Sequence, residues 1–133
     1  PVQVGRVICD GPQARVFDPY GEAGWLLYRL DPRDPAARGC VDDRVFIFGE
    51  VDLMGPKVLS QYLTATKALP GTMAILRHYR VTLVWQGRGQ PLARLLARQK
   101  GWTCVFADSK NILYASPGQA PLWHASRSAC PSQ

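Results

Sequence analysis

Residues 79–117 read YRVTLVWQGRGQPLARLLARQKGWTCVFADSKNILYASP, and this stretch decides the fold. The apolar run Val81–Trp85 predicts a buried strand, and the Gly-Arg-Gly-Gln turn after it leads into an amphipathic helix over Pro91–Lys100. Two further apolar runs flank the polar sequence DSKN and predict a β-hairpin of Trp102–Ala107 and Asn111–Ala115. A strand, a helix and a returning pair of strands are typical of an α/β domain.

The sequence upstream alternates in the same way. The expected elements, in chain order, are a short apolar segment at Val4–Cys9, a buried strand at Ala14–Asp18, a helix at Gly21–Leu30, a loop at Asp31–Arg44, a strand at Val45–Phe48, a helix that begins at Pro56 and a short helix at Thr72–Tyr79. Strands that alternate with helices predict a parallel sheet with helices on its faces. We therefore expect a single three-layer α/β domain over residues 1–117, with a mostly parallel sheet of about five strands and a C-terminal antiparallel hairpin at one edge. Residues 118–133 show no periodicity and predict an irregular or disordered tail.

Composition places the chain among single globular domains. It has 133 residues, of which 47% are hydrophobic and 20% charged, enough for one ordinary core. No apolar run approaches the roughly 18 residues that a membrane-spanning helix needs. Because the chain begins at Pro1 rather than Met, we expect a segment of a longer protein, with removal of the start by processing as the alternative.

Charge is distributed unevenly. Residues 1–52 hold nine acidic residues and six arginines, a net charge of −3, whereas residues 53–133 hold ten Lys or Arg and one acid, a net charge of +9. This asymmetry indicates a basic surface directed at an anionic partner such as lipid headgroups or a phosphate-bearing substrate. The alternative is an even spread that serves only solubility. No RRM, KH or zinc-finger pattern is present, so we expect no nucleic-acid partner.

Four cysteines, Cys9, Cys40, Cys104 and Cys130, leave the redox state open. None forms a CxxC pair and the chain has only two histidines, so we expect no metal site and no other cofactor. Cys104 lies in an apolar run and predicts a buried thiol. Two disulfides are the alternative if the domain faces an oxidising compartment.

Polar side chains follow the first two expected strands. Asp18 and Tyr20 lie in the turn after the first strand, and Glu50 and Asp52 follow the second. Because the carboxyl ends of parallel strands share one edge of a sheet, these groups are candidates for binding a polar ligand. The alternative is structural: Pro19 and Gly21 shape the turn around Tyr20, and Asp52 caps the next helix.

Arg88 is the fifth candidate ligand-binding residue. It lies in QGRGQP, residues 86–91, where a turn before a helix offers backbone N–H groups to an anion. A lone Gly-x-Gly is also simply a tight turn, and no Walker Lys-Ser/Thr follows it. No nucleophile motif is present, and His78 lies beside two arginines on a helix. We therefore expect no catalytic residue in this chain.

Three segments together resemble a known family: RVFDPYGEAGWLLYRL, VFIFGEVDLMGPKVLSQYL and residues 79–117. They resemble the extracytoplasmic C-terminal domain of bacterial GT-C-type membrane glycosyltransferase-like proteins, relatives of oligosaccharyltransferases and mannosyltransferases that use polyprenyl-phosphate-linked sugars. The likeness covers roughly residues 14–117, and the matching positions are Tyr20, Gly21, Gly24, Gly49, Asp52, Leu53 and Gly55. Pro19, Phe48 and Glu50 depart from the pattern.

The resemblance implies a non-catalytic accessory domain at the outer face of a bacterial cytoplasmic membrane. Its partners would be the transmembrane portion of the same polypeptide and anionic lipid headgroups or a lipid-linked sugar, and it would contact the acceptor or the lipid-linked donor. The catalytic acid of such enzymes lies between membrane helices, outside this sequence. The alternative is a free-standing α/β small-ligand-binding domain or enzyme that uses the edge at the strand C-termini.

Overall fold

A computed structural model describes residues 7–8, 15–17, 56–123 and 130–131. This part of the chain holds four strands and three α-helices. In chain order they are β1 (Val16–Phe17), α1 (Pro56–Thr66), α2 (Thr72–His78), β2 (Leu83–Gly87), α3 (Pro91–Arg98), β3 (Thr103–Ala107) and β4 (Asn111–Ala115), followed by a 3₁₀ turn at Ala120–Leu122. Val7 and Ile8 are helical. The expected helix at 21–30, loop at 31–44 and strand at 45–48 lie outside the described residues.

The four strands form one mixed sheet in the order β1-β2-β4-β3. β1 and β2 are parallel, with Val16 opposite Leu83 and Phe17 opposite Val84, as the sequence predicts. β4 is antiparallel to both β2 and β3. The α/β class and the hairpin are therefore confirmed. The hairpin lies at one edge of the sheet, as predicted, with β3 outermost. The prediction of a mostly parallel sheet is wrong for the described strands, because only one of their three pairings is parallel.

Burial does not distinguish the two strands of the hairpin. The last four residues of β4, Ile112–Ala115, and the last four of β3, Cys104–Ala107, are all buried. What marks β3 as the edge strand is the shift of its register with β4 between Cys104 and Phe106. Such bulges are common in edge strands, where they interrupt further pairing.

The three helices contribute to one buried core on one face of the sheet. Each begins where the sequence predicts, with Pro56 and Pro91 at the first helical positions of α1 and α3. Their inward side chains meet the strand residues in one cluster, which is Phe17, Tyr62, Ala65, Leu76, Val81, Val84, Leu92, Ala93, Leu96, Trp102, Cys104, Ala107, Ile112 and Tyr114. The Thr72 hydroxyl donates to the Leu69 carbonyl at 2.6 Å and joins the ends of α1 and α2.

The opposite face of the sheet is also buried. Its cluster is Ile8, Val16, Leu83, Trp85, Val105, Phe106, Leu113, Ala115 and Trp123. Trp123 is 4% exposed, so the described part of the expected tail packs on the sheet. The boundary between a domain at 1–117 and a tail at 118–133 stays a prediction.

A disulfide joins Cys104 to Cys130, with 5.9 Å between their Cα atoms. Cys104 is buried, as predicted, but it is not a free thiol, so the disulfide alternative holds for this pair. Cys104 lies on the helix-covered face of β3, and Cys130 packs against the same cluster. The bond therefore ties residue 130 back to the sheet across 26 positions of sequence.

Candidate functional site

The carboxyl ends of β1 and β2 lie at one edge of the sheet, because the two strands are parallel neighbours. We call this end of the sheet, where β1 and β2 stop, the C-terminal edge; it is distinct from the edge strand β3. A pocket of about 350 Å³ opens there, which is within the size range of small-molecule sites. Helix α1 provides one wall, and the end of β2 with the turn after it provides the other. The lining residues are Leu59, Tyr62, Leu63, Thr66, Gln86, Gly87 and Gln90.

The polar groups of this pocket are uncharged. Gln86 is 3% exposed although it lies in an apolar strand, and its Nε2 donates to the Trp85 carbonyl at 2.9 Å. The Thr66 hydroxyl is buried and has no hydrogen-bond partner in the part of the chain that the structure describes. Gln90 adds a second, exposed amide at the start of α3. Buried polar groups are normally paired, so an unpaired hydroxyl beside a cavity favours a polar occupant.

The rest of the lining is apolar and held in place by the core. Tyr62 is 2% exposed, and its ring stacks on Phe17 of β1 with 5.4 Å between the ring centroids. Leu63 is 41% exposed and offers an apolar surface at the pocket wall. Strand β1 and helix α1 are thus fixed to each other at the floor of the pocket, which makes the cavity part of the core packing.

Arg88 lies in the turn after β2, as predicted, and it contacts the β3–β4 hairpin. Its backbone N–H donates to the Lys110 carbonyl at 2.9 Å, and its Nη1 donates to the Asp108 carbonyl at 2.9 Å. These bonds join the two turns at the C-terminal edge. A ligand-binding role for Arg88 stays a prediction. The other four candidates, Asp18, Tyr20, Glu50 and Asp52, lie outside the described residues.

Asp108 holds the hairpin turn that Arg88 contacts. Its Oδ1 accepts from the N–H groups of Lys110 and Asn111, at 2.8 and 2.7 Å. Partial burial acts to raise the pKa of this carboxyl. The two N–H donors, together with the side chain of Asn111, outweigh burial and lower the pKa below its ordinary value of 3.8.

No protein-family model, curated protein or solved structure matches this chain. None of the lining residues at the C-terminal edge carries a charge, so the described part of the pocket offers binding groups and no acid–base pair.

Two findings bear on the setting of the domain. In the described ranges no helix is both long enough and apolar enough to cross a membrane. The Cys104–Cys130 disulfide is of a kind that forms and persists in oxidising compartments.

In the part of the chain that the structure describes, no three His, Cys, Asp or Glu side chains are grouped to hold a metal ion.

Sequence reasoning singled out the segment 86–91 but chose Arg88, and it missed Gln86, Gln90 and Thr66 as polar groups of the pocket. Gln86 left one trace, because an amide interrupts the otherwise apolar run VTLVWQG. A buried polar residue inside a strand is more informative than an exposed one and marks a place to look for a ligand. No feature of the sequence marks Thr66 as a pocket residue, because its place in the lining depends on how α1 packs over β2.

Proposed function

We propose that this chain is a non-catalytic, extracytoplasmic accessory domain of a membrane-embedded glycosyltransferase-like protein that uses polyprenyl-phosphate-linked sugars. In this proposal the pocket at the C-terminal edge contacts the uncharged sugar portion of the acceptor or of the lipid-linked donor. The observation that carries the proposal is the neutral polar lining formed by Gln86, Gln90 and Thr66. The resemblance of residues 14–117 to such domains supplies the context.

The chemistry of the lining suits a sugar. Amide and hydroxyl groups both donate and accept hydrogen bonds, as sugar hydroxyls require, and Leu59 and Leu63 offer apolar surface to the C–H face of a ring. A charged ligand finds no counter-charge among these residues. For a methyl hexoside of roughly thirteen heavy atoms, about 0.3 kcal/mol per atom corresponds to about 4 kcal/mol, or a Kd of about 1 mM.

The disulfide and the membrane context agree with each other. A disulfide is compatible with the outer face of a cytoplasmic membrane, where thiols are not kept reduced. The transmembrane portion of the same polypeptide would hold the domain beside its substrate. The local concentration of the sugar would then be high, and millimolar affinity would be sufficient.

The binding test uses the 133-residue chain and a panel of methyl glucoside, mannoside and galactoside, with binding followed by NMR chemical shifts. We expect one glycoside to shift resonances of Gln86 and Gln90. Gln90→Leu, at an exposed position, should weaken that binding about tenfold because it removes hydrogen bonds to the ligand. Gln86→Leu should do the same.

The matched control is Gln99→Leu, the same chemical change beyond the end of α3. It should leave glycoside binding unchanged. Absence of shifts at the C-terminal edge for every glycoside, or equal weakening by all three variants, would remove the sugar-binding claim. Sugar transfer by the full-length parent protein, measured with and without this domain, then tests the accessory role. Equal transfer in both forms contradicts it.

A free-standing small-ligand-binding domain or enzyme is the second candidate. It is favoured by the position of the pocket at the ends of two parallel strands, where α/β proteins commonly bind ligands. The sequence that precedes Pro1 in the gene distinguishes the two. A series of hydrophobic helices there supports the membrane-tethered domain.

A further inference from the structure

A second pocket, of about 400 Å³, lies at the opposite edge of the sheet. We call it the basic pocket. It forms where α2 and α3 end, where β2 begins and where β4 ends. The lining residues are Met73, Leu76, Arg77, Arg80, Val81, Thr82, Gln99, Lys100, Trp102, Ser116 and Pro117.

Three cations line this pocket: Arg77, Arg80 and Lys100. Each is exposed, and none forms an ion pair or a side-chain hydrogen bond with any residue in the described ranges. Asp108, the one acidic residue in those ranges, lies in the hairpin turn at the far end of β3 and β4. Three of the nine Lys and Arg residues in the described range 56–123 thus line one pocket that has no acidic residue in its lining.

Helix dipoles offset part of this charge. The C-termini of α2 and α3 both lie at the basic pocket, and each helix end corresponds to about −0.5 elementary charge. Two such ends leave roughly two of the three positive charges uncompensated. The partial negative charge at the end of α2 is smaller than this, because the N–H groups of Tyr79, Arg80 and Val81 already bond its last carbonyls.

The backbone conformation of Arg80 favours glycine. Arg80 has φ of +55°, and its N–H donates to the Arg77 carbonyl while that of Val81 donates to Leu76. This is the Schellman arrangement, in which the left-handed position is normally glycine. A side chain there costs about 1 kcal/mol. Ala68 has the same conformation, so positive φ assigns no role to Arg80. It does make Arg80→Gly a change that removes the charge without straining the backbone.

We propose that the basic pocket binds a phosphate group through Arg77, Arg80 and Lys100. Ser116 supplies a hydroxyl, and the Thr82 hydroxyl, whose oxygen accepts from the Arg15 N–H at 2.9 Å, still has its own proton to donate. Leu76, Val81 and Trp102 provide an apolar wall beside the cations. Arginines and a lysine around one cavity match the three oxygens of a phosphoryl group. The inference does not rest on the sugar pocket, which lies at the other edge.

The decisive variants are Arg80→Gly and Ala68→Gly. Ala68 ends α1 in the same arrangement, with φ of +56° and bonds from its N–H to Ala65 and from Leu69 to Thr64. Both substitutions place glycine at a left-handed position, so both should stabilise the fold or leave it unchanged. Only Arg80→Gly removes a charge from the basic pocket. The pair therefore separates a loss of binding from a loss of folding.

The experiment titrates the full 133-residue chain with inorganic phosphate and pyrophosphate, followed by NMR, and measures its co-sedimentation with vesicles of phosphatidylglycerol or phosphatidylcholine. We expect binding that weakens as salt rises, about tenfold weaker for Arg80→Gly and unchanged for Ala68→Gly. Arg77→Gln with Lys100→Gln should weaken it further. Gln86→Leu should leave it unchanged, so this test and the glycoside test fail separately.

The two arms identify the source of the phosphate. Binding of inorganic phosphate or pyrophosphate at the basic pocket indicates a soluble phosphoryl ligand. Binding of phosphatidylglycerol vesicles alone, lost in Arg80→Gly and not seen with phosphatidylcholine, indicates a lipid headgroup. Absence of binding in both arms overturns the proposal, as does binding that Arg80→Gly leaves intact.

Discussion

At the scale of single residues, Asp108 links the hairpin to pH. Because the pKa of its carboxyl is lower in the folded state than its ordinary 3.8, the charged form stabilises the fold. That contribution is complete above the unfolded-state pKa and is lost as pH falls through the lower, folded-state pKa. We expect wild type to lose stability relative to Asp108→Asn as the pH falls from about 4 through the lower, folded-state pKa.

The measurement is the free energy of unfolding by urea at several acidic pH values. Asn keeps a side-chain oxygen that accepts from the N–H groups of Lys110 and Asn111 but has no charge to titrate. The difference between the two curves therefore isolates the ionisation of Asp108 from that of the other carboxylates. A difference that stays constant across this range contradicts the assignment.

Residues also show the limit of sequence reasoning. The start of α3 at Pro91 follows from the fixed φ of proline, so it could be predicted. Arg80 and Ala68 could not be predicted to adopt positive φ, because the local preference of a side chain opposes that conformation. The basic pocket could not be predicted for another reason: Arg77 and Arg80 lie at the end of α2, Lys100 follows α3, and only tertiary structure brings these two helix ends together.

At the scale of elements, strand direction could be predicted and strand position could not. β1, β2 and β3 run the same way, as alternation with helices predicts. The short DSKN turn requires β4 to run back beside β3. Nothing in the hairpin sequence says whether the free edge of β4 then faces solvent or β2. The pairing of β4 with β2, from Leu83 opposite Ala115 to Gly87 opposite Asn111, is seen only in the folded structure.

The Cys104–Cys130 disulfide also stabilises the arrangement of the elements. Closing 26 positions between Cys104 and Cys130 lowers the entropy of the unfolded chain by an amount worth about 3.5 kcal/mol in the loop-closure model. Replacing both cysteines by alanine should therefore reduce the free energy of unfolding by about 3 kcal/mol. Urea unfolding under non-reducing conditions measures the change, and peptide mapping of wild type checks the pairing. Equal stability of the two proteins, or a different partner for Cys104, contradicts the prediction.

At the scale of the whole molecule, the sheet separates two sites of different chemistry. The five residues of β2 span about 16 Å between the uncharged pocket at the C-terminal edge and the basic pocket. The sites share no lining residue. On the two proposals made above, the domain would bind a sugar at one end of the sheet and a phosphate group at the other, as two different molecules or as two distant parts of one.

Because the sites are more than 10 Å apart and have no common partner, their binding free energies should add to within about 0.5 kcal/mol. Titration of the best glycoside with and without saturating phosphate should therefore give dissociation constants that agree within about twofold. The double variant Gln90→Leu with Arg80→Gly should lose as much glycoside affinity as Gln90→Leu alone and as much phosphate affinity as Arg80→Gly alone. A larger shift in either experiment would mean that the sheet transmits a change between its edges, since neither ligand can reach the other pocket. In that case the two edges act as one coupled site rather than as two independent ones.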